Sequence, residues 1–133
     1  MIFFLHLLGI DTIGHAYRPY SKEYYDNIHL VDQGVKRIYE LFEHYFPDHM
    51  TTYIFTSDHG MSNKGSHGDG EPANTETPII CWGAGIRGPE ARKDNTLQSP
   101  TSWGLDHLER KDINQADVAP LMVNFLINYL SSQ

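Results

Sequence analysis

The sequence predicts an α/β fold in which a mostly parallel sheet is flanked by helices. Three apolar runs indicate buried strands, at residues 1–10, 52–57 and 77–82. A long amphipathic pattern between the first two runs is typical of a helix. A strand, a helix and a second strand in this order form a βαβ unit, whose crossover is right-handed and whose two strands run parallel.

The N-terminal run, MIFFLHLLGI, is the first predicted strand. It lacks the basic start and the small-residue cleavage site of a signal sequence, and it contains His6. It is also too short to cross a bilayer, which takes roughly 20 apolar residues. We therefore expect a buried strand here, and we predict no transmembrane segment anywhere in the chain.

The helix that follows has clear signals at both ends. Ser21 is a good N-cap, Glu23 lies where it favours the helix dipole, and Pro47 ends the pattern. Apolar residues recur at a spacing that alternates between four and three, which predicts one core-facing side of the helix. That apolar stripe consists of Tyr24, Ile28, Val31, Val35, Ile38, Phe42 and Tyr45.

The C-terminal half contains one more strand and one more helix. After the strand at 77–82, residues 87–112 lose any regular pattern and indicate a long surface excursion. A final helix is predicted from about residue 114 to 130, with Pro120 tolerated only in its first turn, so that Asp117 is an alternative N-cap. The sequence contains no internal repeat, and we expect a single domain spanning residues 1–133.

Composition narrows the class of protein. The chain has 133 residues, of which 40% are hydrophobic and 20% charged, values typical of a globular domain. The net charge of −7 disfavours nucleic-acid binding, because no cluster of Lys and Arg offsets phosphate repulsion. The single Cys81 lies in an apolar run and excludes an intrachain disulfide. Eight histidines are many for this length.

Five potential metal ligands follow two of the predicted strands. Asp11 and His15 come after the first strand, Asp58 and His59 after the second, and His67 lies on the Gly-rich loop beyond. Because the carboxyl ends of parallel strands meet at one edge of a sheet, we expect these side chains to gather there. Taken singly, each Asp-His pair is more simply explained by turn residues. The joint occurrence of both pairs with His67 favours a metal site.

The ligand types indicate the metal. Carboxylate and imidazole without thiolate suit Zn²⁺, or Mn²⁺ as the harder ion, whereas Ca²⁺ and Mg²⁺ prefer more oxygens. Five ligands are too many for one tetrahedral ion and too few for two. A pair of metals about 3.5–4 Å apart would stabilise the attacking and leaving oxygens of a displacement at phosphorus.

Several motifs carry a resemblance to a known family. Asp11 to His15 (Asp-x-x-Gly-His), Ser57 to Met61 (Ser-Asp-His-Gly-Met) and the later His67-Gly68 pair resemble the alkaline phosphatase superfamily. More specific strings resemble the lumenal catalytic domain of the GPI ethanolamine phosphate transferase family. Those strings are HLLGIDTIGHAYRP, EYYDNIHLVDQGV, FTSDHGMSNKGSHGDG, TPIICWGAGI and QADVAPLM.

The resemblance implies a reaction and its surroundings. Residues 1–133 would be a partial, incomplete alkaline-phosphatase-like catalytic domain. Such enzymes transfer phosphoethanolamine from phosphatidylethanolamine to a mannose of the GPI-anchor precursor, at the lumenal side of the endoplasmic reticulum membrane. The partners implied are therefore the GPI precursor glycolipid and phosphatidylethanolamine, with membrane attachment through segments absent from this chain.

The resemblance also implies a division of the ligands. Asp11, His15 and His67 would bind one zinc ion, and Asp58 with His59 would bind the other. The family's further Asp ligand and its Thr or Ser nucleophile belong to an upstream segment, so the nucleophile is absent from this chain. Thr12 is the only hydroxyl beside a ligand, but it does not occupy the nucleophile position. We therefore expect the isolated chain to bind metal and to be inactive alone.

Two other interpretations remain open at this stage. The chain could derive from another phosphodiesterase or sulfatase of the same superfamily, since the metal ligands are shared among these enzymes. It could also be a non-catalytic, truncated metal-binding module, which the missing nucleophile supports. The strings around Tyr17-Arg18-Pro19 and Trp82-Gly83-Ala84-Gly85 favour the transferase over the first of these alternatives.

Overall fold

The computed structural model describes residues 1–93 and 99–131. The chain forms two compact units. One is Phe3–Ile86, which contains all five predicted metal ligands, and the other combines Met1–Ile2 with the chain from Arg87 onward. Within the described residues, no helix has the length and apolar character needed to cross a membrane.

The predicted N-terminal strand is wrong. Residues 1–7 have no regular secondary structure, and a helix, α1 (Gly9–Tyr17), begins where the strand was expected to end. A strand exists only where a neighbour pairs with its backbone, and the two described strands pair with each other instead. Asp11 lies in the first turn of α1, where its charge complements the helix dipole.

The long helix is confirmed. Helix α2 (Lys22–Tyr45) begins at the predicted N-cap, where the Ser21 hydroxyl oxygen accepts a hydrogen bond of 3.1 Å from the Tyr24 amide. Helix α1 packs against α2 through Gly14, which is buried. A Cβ at Gly14 would lie 3.2 Å from the Tyr24 ring and 2.8 Å from the Met61 methyl group, so a larger residue here would have to displace the end of the Met61 side chain.

The sheet has two described strands, β1 (Thr52–Thr56) and β2 (Ile79–Gly83). Both lie at their predicted positions, but they run antiparallel, with Thr52 opposite Gly83 and Thr56 opposite Ile79. The expected parallel pair is therefore not formed by the described residues. The connection from β1 to β2 contains only the four-residue helix α3 (Pro72–Thr75), and it turns the chain back at the same end of the sheet.

Aromatic side chains connect α2 to the sheet. The Tyr53 and Trp82 rings stack with centroids 5.2 Å apart, and Tyr39 meets Tyr53 edge-on at 5.1 Å. The Tyr53 hydroxyl donates a 2.7 Å hydrogen bond to Glu43 on α2. No hydrophobic side chain that the structure describes is fully buried, so these half-exposed contacts take the place of a closed core.

The second unit contains little regular structure before its helix. Two short 3₁₀ helices (Thr101–Trp103 and Gln115–Asp117) precede α4 (Val118–Ser131). Helix α4 begins immediately after Asp117, which places Pro120 in its first turn as predicted. Part of the predicted surface excursion, residues 94–98, lies outside the described residues.

Candidate metal centre

The loop that follows β1 begins with a tight turn. The Ser57 hydroxyl donates to the His59 carbonyl oxygen at 2.6 Å, and the His59 amide donates to Asp58 Oδ1 at 3.1 Å. The Thr77 hydroxyl, which precedes β2, donates to the Ser57 carbonyl oxygen at 3.3 Å. These bonds fix the direction in which His59 leaves the strand.

Further along, the loop folds back onto α1. The Ser62 amide and hydroxyl both donate to the Ser66 carbonyl oxygen, at 2.9 and 2.8 Å, which closes a compact turn. Gly65 within this turn has φ +73°, and a Cβ there would lie 2.8 Å from the Gly14 carbonyl oxygen. Only glycine therefore allows this approach, which carries His67 to the helix that bears Asp11.

Three imidazole nitrogens converge on one carboxylate oxygen. Asp11 Oδ1 lies 3.3 Å from His67 Nε2, 3.4 Å from His15 Nε2 and 3.9 Å from His59 Nε2. The Nε2 atoms of His15 and His67 are 3.2 Å apart. Asp11, His15 and His67 each offer a ligand atom within 4.8 Å of the others, which is close enough for one metal ion to contact all three.

Two carbonyl oxygens set the tautomers of His15 and His59. The Gly65 carbonyl oxygen lies 2.8 Å from His15 Nδ1, and the Gly60 carbonyl oxygen lies 2.9 Å from His59 Nδ1. A carbonyl only accepts, so each Nδ1 carries the proton and donates it. The Nε2 of each neutral ring then keeps its lone pair, and it faces Asp11. This is how metal-binding histidines are usually held.

The buried carboxylate oxygen tests whether the residues fit a metal. Asp11 Oδ1 is fully buried and has no hydrogen-bond partner among the residues that the structure describes. The Nε2 atoms of His15 and His59 keep their lone pairs and cannot donate to it. A buried acceptor left unsatisfied costs about 1–3 kcal/mol, and a charged one more. A divalent cation between these atoms would satisfy all of them, so the donor set fits.

The two predicted ligands that directly follow β1, Asp58 and His59, are arranged differently. The His59 and His67 rings stack, with centroids 3.7 Å apart and an interplanar angle of 18°. His59 therefore lies beside the first group of ligands. Asp58 is at the rim: its side chain is 70% exposed, against 29% for Asp11, and its Oδ2 is 3.8 Å from His59 Nε2.

Thr12 does not present a free hydroxyl to this centre. Its Oγ1 donates a 3.3 Å hydrogen bond to the Leu8 carbonyl oxygen, within its own helix. The pKa of the nearby Tyr24 hydroxyl is affected by burial and by the charge of Asp11. Burial raises the pKa of Tyr24, and the Asp11 charge adds to this increase.

Several supporting groups were not predicted from the sequence. They are the carbonyl oxygens of Gly60 and Gly65, and the side chain of Asn74, which is only 3% exposed. Asn74 donates to Asp69, and this bond, together with one from the Glu71 amide, holds the pKa of Asp69 below its ordinary value. The two glycines flanking the predicted ligands were the available signal, since glycine marks close backbone approach.

Comparison with known proteins gives one family and many relatives. The Sulfatase family profile matches residues 10–123. A protein of Gibberella zeae named GPI ethanolamine phosphate transferase 1 is 56% identical over 126 residues, which are 92% of this chain and 13% of that protein. The Mus musculus protein of the same name is 51% identical over 129 residues, covering 95% of this chain and 14% of its own length.

A third relative of that name, from Candida glabrata, is 51% identical over 121 residues, which are 90% of this chain. The chain thus spans only 13–14% of the length of these curated relatives. No solved structure matches it.

Proposed function

This chain belongs to the Sulfatase family, and we propose that it carries part of the catalytic centre of an enzyme that transfers phosphoethanolamine to a mannose of the GPI-anchor precursor. The names of relatives at 51–56% identity support this reaction over that of a sulfatase or of another phosphodiesterase. The donor would be phosphatidylethanolamine, and the enzyme would act at the lumenal side of the endoplasmic reticulum membrane.

The observation that carries the proposal is the approach of three Nε2 atoms to within 3.9 Å of the buried Asp11 Oδ1. We assign Asp11, His15 and His67 to one metal ion, and Asp58 with His59 to a second. Zn²⁺ fits these ligands best, with Mn²⁺ as the alternative. When bound, the metal supplies Lewis acidity that stabilises negative charge on the phosphoryl oxygens.

The chain's own residues orient this centre. The Gly65 and Gly60 carbonyl oxygens hold the His15 and His59 rings with their lone pairs inward. The Thr12 hydroxyl, engaged with Leu8, is not available as a nucleophile. We therefore propose that this chain alone binds metal without catalysing transfer.

The family's α/β fold also bears on the sheet. Both β1 and β2 have an open edge, since the described sheet has only these two strands. We propose that the mostly parallel sheet of an alkaline-phosphatase-like domain is completed by strands from outside this chain, added at those edges.

Metal titration of the purified chain tests the first part of the proposal. We expect Zn²⁺ binding by calorimetry, weakened at least about 100-fold by His67→Ala or Asp11→Asn, because each removes a charge or lone pair that the ion needs. The matched control is His29→Ala, which removes an exposed histidine of α2 and should leave the affinity unchanged. Equal binding by all four proteins would contradict the assignment.

A turnover assay tests the second part. The zinc-loaded chain should release no phosphoethanolamine from a phosphatidylethanolamine donor, and no sulfate from an aryl sulfate. Transfer to a mannoside by the chain alone would show that the nucleophile lies within it. Sulfate release would instead support the sulfatase alternative.

A further inference from the structure

We propose that Asn74 is a positioning residue of the metal centre, which it serves by binding Asp69 and Gly60 and so holding the loop that bears His59 and His67. The inference rests on the proposed function, because it assumes that these histidines act as ligands. Among the described residues, no hydrogen bond links Asn74 to either histidine. Its role is to fix the backbone on both sides of the segment between them.

The backbone of Asn74 holds the first end of this segment. The Gly60 amide donates a 2.9 Å hydrogen bond to the Asn74 carbonyl oxygen, directly after His59. The approach is very close, since a Cβ at Gly60 would lie 2.0 Å from the Ala73 carbonyl oxygen. Helix α3 and the start of the loop are therefore in backbone contact, and only glycine permits it.

The side chain of Asn74 holds the second end. Its Nδ2 donates to Asp69 Oδ1, two residues after His67, and the Glu71 amide donates to the same oxygen at 3.1 Å. The Asn74 amide in turn donates to the Glu71 carbonyl oxygen at 2.8 Å. A single buried residue thus restrains the chain next to His59 and close to His67.

The orientation of the Asn74 amide group shows that the hydrogen bond matters beyond packing. A carboxylate only accepts, so Nδ2 must face Asp69. This leaves Asn74 Oδ1 buried with no hydrogen-bond partner among the described residues. An apolar side chain of similar size would avoid the penalty of that unsatisfied oxygen. The bond to Asp69 is therefore the interaction that only asparagine provides at this position, and it forms although Oδ1 stays unsatisfied.

Asn74→Leu separates positioning from packing. Leucine keeps the side-chain volume and removes both the bond to Asp69 and the unsatisfied oxygen. We expect the fold to be retained, while Co²⁺, used as a spectroscopic probe of the zinc site, binds about tenfold or more weakly and its visible absorption shifts. The matched control, Thr75→Ala, removes a hydrogen bond within the same helix and should leave Co²⁺ binding unchanged.

Reversing the pair provides a rescue. Asn74→Asp alone places two carboxylates face to face and should weaken Co²⁺ binding at least as much as leucine does. The double variant Asn74→Asp with Asp69→Asn restores a donor opposite an acceptor between the two side chains, whereas the Glu71 amide, which shares the Asp69 Oδ1 atom with Asn74, loses its acceptor. We expect Co²⁺ affinity to recover at least about threefold relative to Asn74→Asp alone. Failure of this rescue would overturn the hydrogen-bond basis of the proposal.

Amide hydrogen exchange supplies a readout that needs no metal. Exchange at Glu71 should accelerate about tenfold or more in Asn74→Leu and remain unchanged in Thr75→Ala, since only the first frees Asp69. Unchanged exchange and unchanged Co²⁺ affinity in Asn74→Leu would refute the inference. If the original chain binds no Co²⁺, the metal centre itself fails, and the exchange result still decides whether Asn74 orders this loop. If Asn74→Leu loses its helical circular dichroism, exposed Asp69→Ala takes its place, with weaker Co²⁺ binding as the deciding result, because this variant removes the acceptor of the Glu71 amide directly.

Discussion

At the scale of single residues, the centre depends on one carboxylate oxygen that the described part of the fold leaves without a donor. Two of the three Nε2 atoms around Asp11 present lone pairs, those of His15 and His59. The Gly65 and Gly60 carbonyl oxygens hold the protons of these two rings on Nδ1. Such a group of acceptors is unfavourable until a cation joins it. Metal binding should therefore also stabilise the folded chain.

The residue types of the site could be read from the sequence, but its geometry could not. Asp11 and His15 are four residues apart, and the helix that forms there places them on one face. That spacing was a usable signal, although the strand prediction obscured it. The bond between His15 and Gly65 joins positions 50 residues apart, and no local pattern predicts it.

Gly65 provides the first prediction at this scale. Gly65→Ala should destabilise the chain by about 1–3 kcal/mol, because alanine is strained at φ +73° and its Cβ would collide with the Gly14 carbonyl oxygen. Urea denaturation followed by circular dichroism would measure the change. Zn²⁺ affinity should fall with it, since the Gly65 carbonyl oxygen orients His15.

Gly68→Ala is the matched control. Gly68 also has positive φ, at +96°, but open space surrounds its Cβ position. The Gly68→Ala variant should therefore lose only the free energy that alanine costs at positive φ, with no added cost from a steric clash. Equal losses in the two variants would show that the approach of the loop to α1 contributes nothing.

At the scale of elements, the sequence predicted the positions of helices and strands from local patterns, but it did not predict how the strands pair. Helix α2, both strands and the start of α4 form where the sequence predicts them, because capping, periodicity and proline act over a few residues. The N-terminal run failed because an apolar run becomes a strand only beside a partner. The prediction that the strands run parallel failed for a similar reason, since the relative direction of β1 and β2 depends on where the chain returns after β1.

The contact between α2 and β1 gives a prediction about pH. Burial, followed by the hydrogen bond to Glu43, raises the pKa of Tyr53 to about 12 from its ordinary 10.0. Because the folded pKa is the higher one, the stabilisation is complete below pH 10 and is lost as the pH rises through about 12. The urea midpoint should therefore fall across this window.

Tyr53→Phe supplies the comparison, because it keeps the ring stacked on Trp82 and removes the titrating hydroxyl. The variant should have a lower midpoint at about pH 8 and a smaller decline between about pH 10 and 12. A decline of the same size in both proteins would assign the effect to other groups.

At the scale of the whole molecule, the exposed apolar surface is the feature that most affects behaviour in solution. Every residue from Met1 to Gly9 is exposed, and Phe4 is 80% accessible. Phe3 meets Phe42 with ring centroids 4.8 Å apart, so Phe3 packs on the apolar side of α2. Contiguous apolar surface together with open strand edges favours association.

We therefore predict that the isolated chain self-associates. Sedimentation velocity should show larger species as the concentration rises, and the double variant Phe4→Glu with Leu5→Glu should reduce them strongly. Leu30→Glu, at a single exposed position on α2, should have a smaller effect. A chain that stays monomeric at all concentrations would contradict this view of its surface.

X-ray absorption at the zinc edge tests the central claim most directly, because it reports the ligands of the bound ion. For the zinc-loaded chain, we predict nitrogen and oxygen neighbours at about 2.0–2.1 Å, with the multiple scattering of two or more imidazoles. We predict no sulfur at about 2.3 Å, which excludes Cys81 as a ligand. A spectrum without imidazole scattering, or with a sulfur neighbour, would contradict the proposed centre.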